Sequence, residues 1–244
     1  MNKEKSMYFY EIHMHTAESS RCGNSSAADM VRTYAEKGFS GVVVTDHFIN
    51  GNSWCRDVNG GWAEKMDAFL KGYYTAKEAG EKYGIKVYPG WEYTYKGSGE
   101  DYLTLGLSEK TLYTDFVDCD TWTIEEYIRK IHELGGIIVR AHPFREAGYM
   151  RISCIDRPGL PVDAVEVYNA GNGKESYNER AVRMAIREGK PMTAGSDTHH
   201  INTTAQCYLG FDEDPADYQA LCDAIKGGKA HLIRNGEVRD VNRE

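Results

Sequence analysis

The chain has 244 residues, 37 of them Asp or Glu and 29 Lys or Arg, for a formal net charge of −8. With 41% hydrophobic and 27% charged residues it has a globular composition, which excludes disordered and fibrous classes, and no apolar run approaches the ~20 residues of a membrane span. The acidic balance argues against a general nucleic-acid binder, so no stable long nucleic-acid partner is expected. In chain order, strand-like apolar runs fall at 8–14, 41–45, 86–88, 102–107, 137–141, 164–168, 191–194 and 207–211. Helical patterns lie between most of them, at 28–37, 62–83, 124–134, 181–188 and 216–226, with Ser25, Ser26 and Thr123 as candidate N-caps. A further strand-like run covers 230–233. Alternation of this kind predicts βα units with a mainly parallel sheet. Some seven units in this length favour a closed or nearly closed barrel folded as one domain over 1–244.

Residues 1–6 are polar and carry no secretory pattern. The six cysteines (22, 55, 119, 154, 207 and 222) are scattered without a CxxC, which suits a reducing, cytoplasmic compartment.

The strand ends are rich in metal-ligand residue types. Run 8–14 leads into His13-Met14-His15, and 41–45 into Asp46-His47. Run 86–88 leads through Pro89-Gly90 to Glu92, and 137–141 into His142-Pro143. Run 191–194 leads into Gly195-Ser196-Asp197-Thr198-His199. Residues two apart on a strand share a face, so each i, i+2 pair can converge on one point. In a barrel the C-terminal strand ends open onto a single face, where active sites are built. Imidazole with carboxylate holds Zn²⁺, Mn²⁺ or Fe²⁺. Five such His, two Asp and one Glu exceed the needs of one four-coordinate ion, so two or three divalent ions sharing a carboxylate are expected. His132 and His231 read as structural; His200 adjoins His199 and would point the other way in an extended chain.

The ordered set His13-Met14-His15-Thr16, Thr45-Asp46-His47, Gly90-Trp91-Glu92, Ala141-His142-Pro143 and Gly195-Ser196-Asp197-Thr198-His199 resembles the PHP (polymerase and histidinol phosphatase) family. The resemblance implies an α/β fold, a distorted (β/α)7 TIM-like barrel, and metal-dependent hydrolysis of phosphate esters. It places one ion on His13, His15, Glu92 and Asp197, a second on Glu92 and His142, and a third on His47 and His199. Two positions depart from the family pattern. Ser20 stands where an acidic residue is usual, with Glu18 the nearest carboxylate ligand and Cys22 a thiolate alternative. The segment Glu100-Asp101-Tyr102-Leu103 lacks the usual His, for which Asp101 can substitute while Tyr102 packs.

The expected reaction is attack on a phosphomonoester of a small phosphorylated metabolite by a hydroxide bridging the ions. Glu92 sets their spacing, Asp197 is ligand and proton acceptor, and His199 or His47 protonates the leaving group where its own ion site is empty. Arg145, on the loop after His142, is the first candidate for the substrate phosphate, and Arg21 the second. Asp46, Ser196, Glu166 and Asn169 read as supporting residues. The aperiodic stretches 48–61, with Trp54 and Arg56, and 144–161 are expected to shape the pocket. The alternatives are a phosphodiesterase or exonuclease acting on nucleotides or short oligonucleotides, and a non-catalytic metal-binding module.

Overall fold

The computed structural model describes residues 7–148, 150 and 157–240; residues 1–6, Cys154 and part of the 144–161 stretch lie outside them. Eleven strands and seven helices are found among the described residues. Tyr8–Glu11 (β1), Ala27–Glu36 (α1), Gly41–Val44 (β2), Trp62–Phe69 (α2), Lys71–Tyr83 (α3) and Lys86–Pro89 (β3) come first. They are followed by Trp91–Thr94 (β4), Asp101–Leu105 (β5), the single turn Thr111–Thr114 (α4), Ile124–Glu133 (α5), Ile137–Arg140 (β6) and Ala164–Asn169 (β7). Glu175–Glu188 (α6), Met192–Gly195 (β8), Cys207–Phe211 (β9), Tyr218–Lys226 (α7), His231–Arg234 (β10) and Glu237–Arg239 (β11) complete the chain.

The strands form two sheets, ordered β11-β10-β9-β1-β2-β3 and β4-β5-β6-β7-β8. The two sheets meet at isolated parallel bridges, His47 with Glu92 and Met14 with Thr198, both at strand ends bearing ligand-type residues. The expectation of a mainly parallel sheet is corrected. Five of the nine described pairings are antiparallel: β1–β9, β9–β10, β10–β11, β4–β5 and β5–β6. The reason is local. No helix separates β4 from β5, so a short loop folds one back on the other; Asn235-Gly236, with φ of 51° and 82°, makes the tight turn between β10 and β11.

Alternation along β2 divides the apolar residues between two cores. Val43 joins Tyr10 and Ile12 in the larger core, which also draws Leu103, Val139 and Val165 from the second sheet. Val42 and Val44 point the other way, to Met30, Val31 and Ala76 of α1 and α3. Burying side chains of this size contributes about 1.5–3 kcal/mol each. The helix starts follow the caps read from sequence. Ser26 accepts from Asp29 N, and Thr123 forms a capping box with Glu126. Helix α6 starts at Glu175, six residues earlier than the apolar pattern suggested.

The helix expected over 62–83 is two helices, broken at Leu70. The Ser19 hydroxyl enters the break, donating to Phe69 O (2.5 Å) and accepting from Gly72 N (2.9 Å). This brings α3 against the back of the His13–His15 turn. A Cβ at Gly72 would lie 2.1 Å from Thr16 Oγ1 and 2.6 Å from Asp46 Oδ2. Gly72→Ala is therefore expected to cost about 1–3 kcal/mol of stability by overpacking. Gly173→Ala, with nothing within 4 Å of the added carbon, should stay within about 0.5 kcal/mol. Denaturant unfolding of both variants checks the difference.

Candidate metal centre

The bridges at the strand ends draw His13, His15, His47, Glu92, His142, Asp197 and His199 together. Glu92 sits at the crossing. Its Oε1 lies 3.0 Å from His142 Nε2 and 3.3 Å from His13 Nε2, and its Oε2 lies 2.7 Å from His47 Nδ1 and 3.5 Å from His15 Nε2. Asp197 Oδ1 closes the other side, 3.2 Å from His15 Nε2 and 3.5 Å from His13 Nε2. His199 Nδ1 is 3.9 Å from the same oxygen. Asp101 Oδ2 is 3.9 Å from His142 Nε2, while its other oxygen accepts from Thr94 Oγ1. Two of these groups stand on backbone that side chains rarely adopt, His142 with φ of 25° and Asp197 with φ of 48°. Such conformations cost about 1–3 kcal/mol each and persist where surrounding structure enforces them.

A ring of supporting groups enforces them. Glu166 Oε1 accepts from His13 Nδ1 (2.8 Å), which turns Nε2 toward Glu92 and Asp197; its Oε2 accepts from His142 N (2.9 Å) and Asn169 Nδ2 (2.8 Å). Arg145 Nη2 donates to Asp197 Oδ2 and to Asn169 Oδ1, both at 2.6 Å. Gly195 has no room for a side chain: a Cβ would stand 2.4 Å from Glu166 Oε1 and 2.5 Å from His13 Cβ. Asp46 faces away from His47, as adjacent strand residues do, and accepts from Thr16 N, Thr16 Oγ1 and Ser20 Oγ. Ser196 Oγ donates to Cys207 O and accepts from Gln206 N, holding the turn before Asp197.

One supporting group was not anticipated from sequence. Glu11 is fully buried; its Oε1 accepts from Ile12 N, His13 N and Ser196 N, and its Oε2 from Tyr34 OH. It thus ties the strand bearing both first histidines to the turn bearing Asp197. A glutamate inside the otherwise apolar run 8–14 was the available signal.

Glu18 is corrected as a ligand. Both its carboxylate oxygens accept from Ala27 N, at 3.1 and 3.0 Å, so it caps α1 instead of joining the cluster. Arg21 is likewise turned from the cavity: it pairs with Asp57 and stacks over Trp54 at 5.5 Å. Ser20 is engaged by Asp46, His15 Nδ1 and His47 N. His132, His231 and His200 stand apart, against Asp163, Asp212 and Asn202 N respectively.

Electrostatically the centre is a set of buried, mutually opposed charges. Burial disfavours an ionised Glu92, but His47 and His13 hold its carboxyl well below the usual range. Burial likewise opposes the Asp197 anion, outweighed by His13 and Arg145. His13 is held well above the ordinary imidazole value because Glu166, Asp197 and Glu92 overcome its burial. Burial together with His47 pushes His15 down to about 3, which keeps it neutral. Burial and Glu92 raise Asp101 to about 6. Burial resists ionisation of the Cys22 thiol, yet hydrogen bonds with His199 and His47 bring it down to about 6.

These residues fit divalent cations. His13 Nε2 and His15 Nε2 are buried without a hydrogen-bond partner, and His47 Nδ1 and Glu92 Oε2, though 2.7 Å apart, make no well-directed bond, a costly condition that a bound cation relieves. Among the described residues, four sets of donors lie within 4.8 Å of one another: His15, His47 and His199; His13, His142 and Asp197; His13, His15 and Glu92; and Glu92, Asp101 and His142. Two donors about 2.1 Å from one ion at a tetrahedral angle stand about 3.4 Å apart, close to the His13 and His15 separations from Asp197. His47, Glu92, Asp101, His142, Asp197 and His199 line a cavity of about 600 Å³, with His13 and His15 fully buried beneath them. Its wall includes Arg145 and, from the stretch after His47, Asn50, Asn52 and Arg56. Tyr95 and Lys96, from the unanticipated β4–β5 loop, also line it.

Residues 11–139 match the PHP domain and residues 175–230 the PHP-associated family. Over 132 residues, 53% of this chain, the sequence is 28% identical to a PolC-type DNA polymerase III of Caldanaerobacter subterraneus subsp. tengcongensis, of which it spans 8%. A two-domain protein of Bacteroides vulgatus, predicted to contain a PHP-like metal-dependent phosphoesterase, superposes with a TM-score of 0.66 at 17% identity. That match covers 94% of this chain and 65% of the other. The lesion-specific endonuclease of Pyrococcus furiosus superposes with a TM-score of 0.57 at 14% identity, over 91% of this chain and 56% of its own.

Two substitutions separate holding a cation from holding the fold. Glu166→Ala is expected to weaken metal binding by about 10–100-fold, by freeing the His13 ring and the His142 backbone. Glu18→Ala is expected to leave the metal content unchanged and lower stability by about 0.5–2 kcal/mol through loss of the α1 cap. Metal analysis after dialysis against a graded chelator, alongside thermal unfolding, reads both.

Proposed function

The chain belongs to the PHP family, and from that premise we propose that it is a metal-dependent phosphoric ester hydrolase acting on a phosphomonoester of a small metabolite. The observation that carries the reading is the set of unpartnered imidazole and carboxylate atoms gathered around Glu92, beside a cavity lined by His47, Glu92, His142 and Arg145. We further propose that residues 1–244 form one unit. Ligand-type residues come from both matched segments, and the two bridges support taking the two sheets as the wall of a distorted (β/α)7 barrel. No described helix is long and apolar enough to cross a membrane. The five described cysteines are unpaired thiols, which supports a reducing, cytoplasmic setting.

His13, His15, Glu92 and Asp197 would hold one ion, Glu92 and His142 with Asp101 a second, and His47 and His199 a third, with zinc, manganese or iron suiting the donors. Divalent ions there would offset the phosphate charge and lower the pKa of a bound water toward neutrality. The chain's own residues do the rest. Glu92 fixes the spacing of the donors through both oxygens. Arg145, held by Asn169, Asn172 and Asp197, presents a guanidinium to the cavity, where its planar fork suits phosphate oxygens. Asp197 accepts a proton from the attacking water. Where the His47–His199 position carries no ion, His199, 30% exposed at the cavity side, is placed to donate one to the departing alkoxide.

A panel of phosphomonoesters, phosphodiesters and short oligonucleotides, assayed with and without chelator, tests this. The expected result is turnover of monoesters, abolished by chelator and by His142→Ala. Arg145→Ala is expected to lower kcat/KM about 10–100-fold, the effect of losing charge-assisted hydrogen bonds to phosphate. Turnover confined to diesters or oligonucleotide ends would replace the monoesterase reading with the nuclease one. Bound metal without turnover would leave a binding module.

A further inference from the structure

We propose that Asn172, braced by the buried Asn178 of α6, is the positioning residue that sets the plane of the Arg145 guanidinium for phosphoryl oxygens. The inference rests on the reading of Arg145 as the phosphate contact and assigns residues that act through it. Arg145 Nη2 donates to Asp197 Oδ2 and Asn169 Oδ1, both at 2.6 Å. Held at that one nitrogen, a planar group can still pivot about it. Asn172 Oδ1 accepts from Arg145 Nε at 3.1 Å, which adds a second point on the same edge and fixes the plane. The Asn172 amide is itself held in one sense. Its nitrogen donates to Asn178 Oδ1 at 2.8 Å, and that oxygen also accepts from Asn169 N at 3.2 Å. Arginine offers only donors, so the oxygen of Asn172 has to face it and the nitrogen has to face Asn178.

Asn178 is buried inside a helix, where asparagine is a weak helix former and a buried amide is costly unless bonded. Its bonds run to the loop carrying Asn169 and Asn172, which gives the residue its use there. The same helix grips both neighbours of Arg145. Arg180 lies over the Phe144 ring at 4.2 Å, and Tyr177 OH donates to Glu146 Oε2 at 3.1 Å. Residues on either side of Arg145 are thus tied to α6, and Asn172 ties the tip of its side chain there as well. Gly171 lets the loop come close, since a Cβ there would stand 2.9 Å from Arg145 Nη2 and 2.8 Å from Asp197 Oδ2. A small misplacement of a substrate-positioning group lowers the rate steeply, so Asn172 acts on turnover without touching substrate.

The test titrates inorganic phosphate by calorimetry into the metal-loaded protein as wild type, Asn172→Ala, Arg145→Ala and the double variant. Monoester kcat/KM and metal content are measured on the same samples. Asn172→Ala should weaken phosphate binding and lower kcat/KM by about 10-fold each, with metal content unchanged. In the Arg145→Ala background the same substitution should change either quantity by less than about 2-fold, because its effect passes through the arginine. Asn178→Leu should show part of the same loss, and an unchanged phosphate Kd in that variant overturns the brace. Asn172→Ala binding phosphate as wild type does, while Arg145→Ala binds it weakly, overturns the proposal and leaves the Arg145 reading standing. Equal losses in both backgrounds overturn it too, since Asn172 would then act independently of Arg145. Arg145→Ala with unchanged phosphate affinity, or wild type with none, overturns the phosphate reading of Arg145 and this inference together.

Discussion

A carboxylate buried among four imidazoles constrains everything around it. Glu92 has almost no contact with solvent, and each of its oxygens faces two histidines. Taking a carboxylate out of water costs several kcal/mol unless an opposite charge and good geometry repay it. Here the opposite charge is either protons on the imidazoles or cations shared with them. The 3.3 and 3.5 Å separations of Glu92 from His13 and His15, with the Nε2 atoms of both rings left without partners, favour cations.

Such a centre is stable only if its donors cannot turn away, and much of the neighbouring structure serves that end. Glu166 fixes the His13 ring and the His142 backbone together. Glu11 ties the first histidine pair to the Asp197 turn, and Arg145 holds the far oxygen of Asp197. Behind them Asp46 gathers Thr16 and Ser20, and the break in the α2–α3 helical stretch lets Gly72 approach this layer. The strained backbone at His142 and Asp197 is held by these contacts, at the two places where strand ends turn their side chains to the cavity floor.

What could be read in the sequence follows from physical range. Strand alternation places His13 and His15 on one face, and it places Asp46 opposite His47, because both statements depend only on neighbouring residues. Helix caps at Ser26 and Thr123 are local in the same sense. The two-sheet arrangement was not legible. The sequence shows one strand-like run at 86–88 leading through Pro89-Gly90 to Glu92, yet Lys86–Pro89 and Trp91–Thr94 are separate strands that pair in different sheets. The same miss hid the β4–β5 loop, and with it Tyr95 and Lys96 in the cavity wall. Glu18 illustrates the converse. Proximity in sequence made it a ligand candidate, but the open N-terminus of α1 lay nearer than the metal cluster. Arg21 was drawn off in the same way by Asp57.

The account depends most on cations meeting at Glu92, and anomalous diffraction from crystals grown with Zn²⁺ or Mn²⁺, recorded at the metal absorption edge, tests that directly. It predicts at least two peaks, with each Glu92 oxygen within bonding distance of one. Density showing Glu92 hydrogen-bonded to protonated imidazoles, with no anomalous peak beside it at saturating metal, would contradict it.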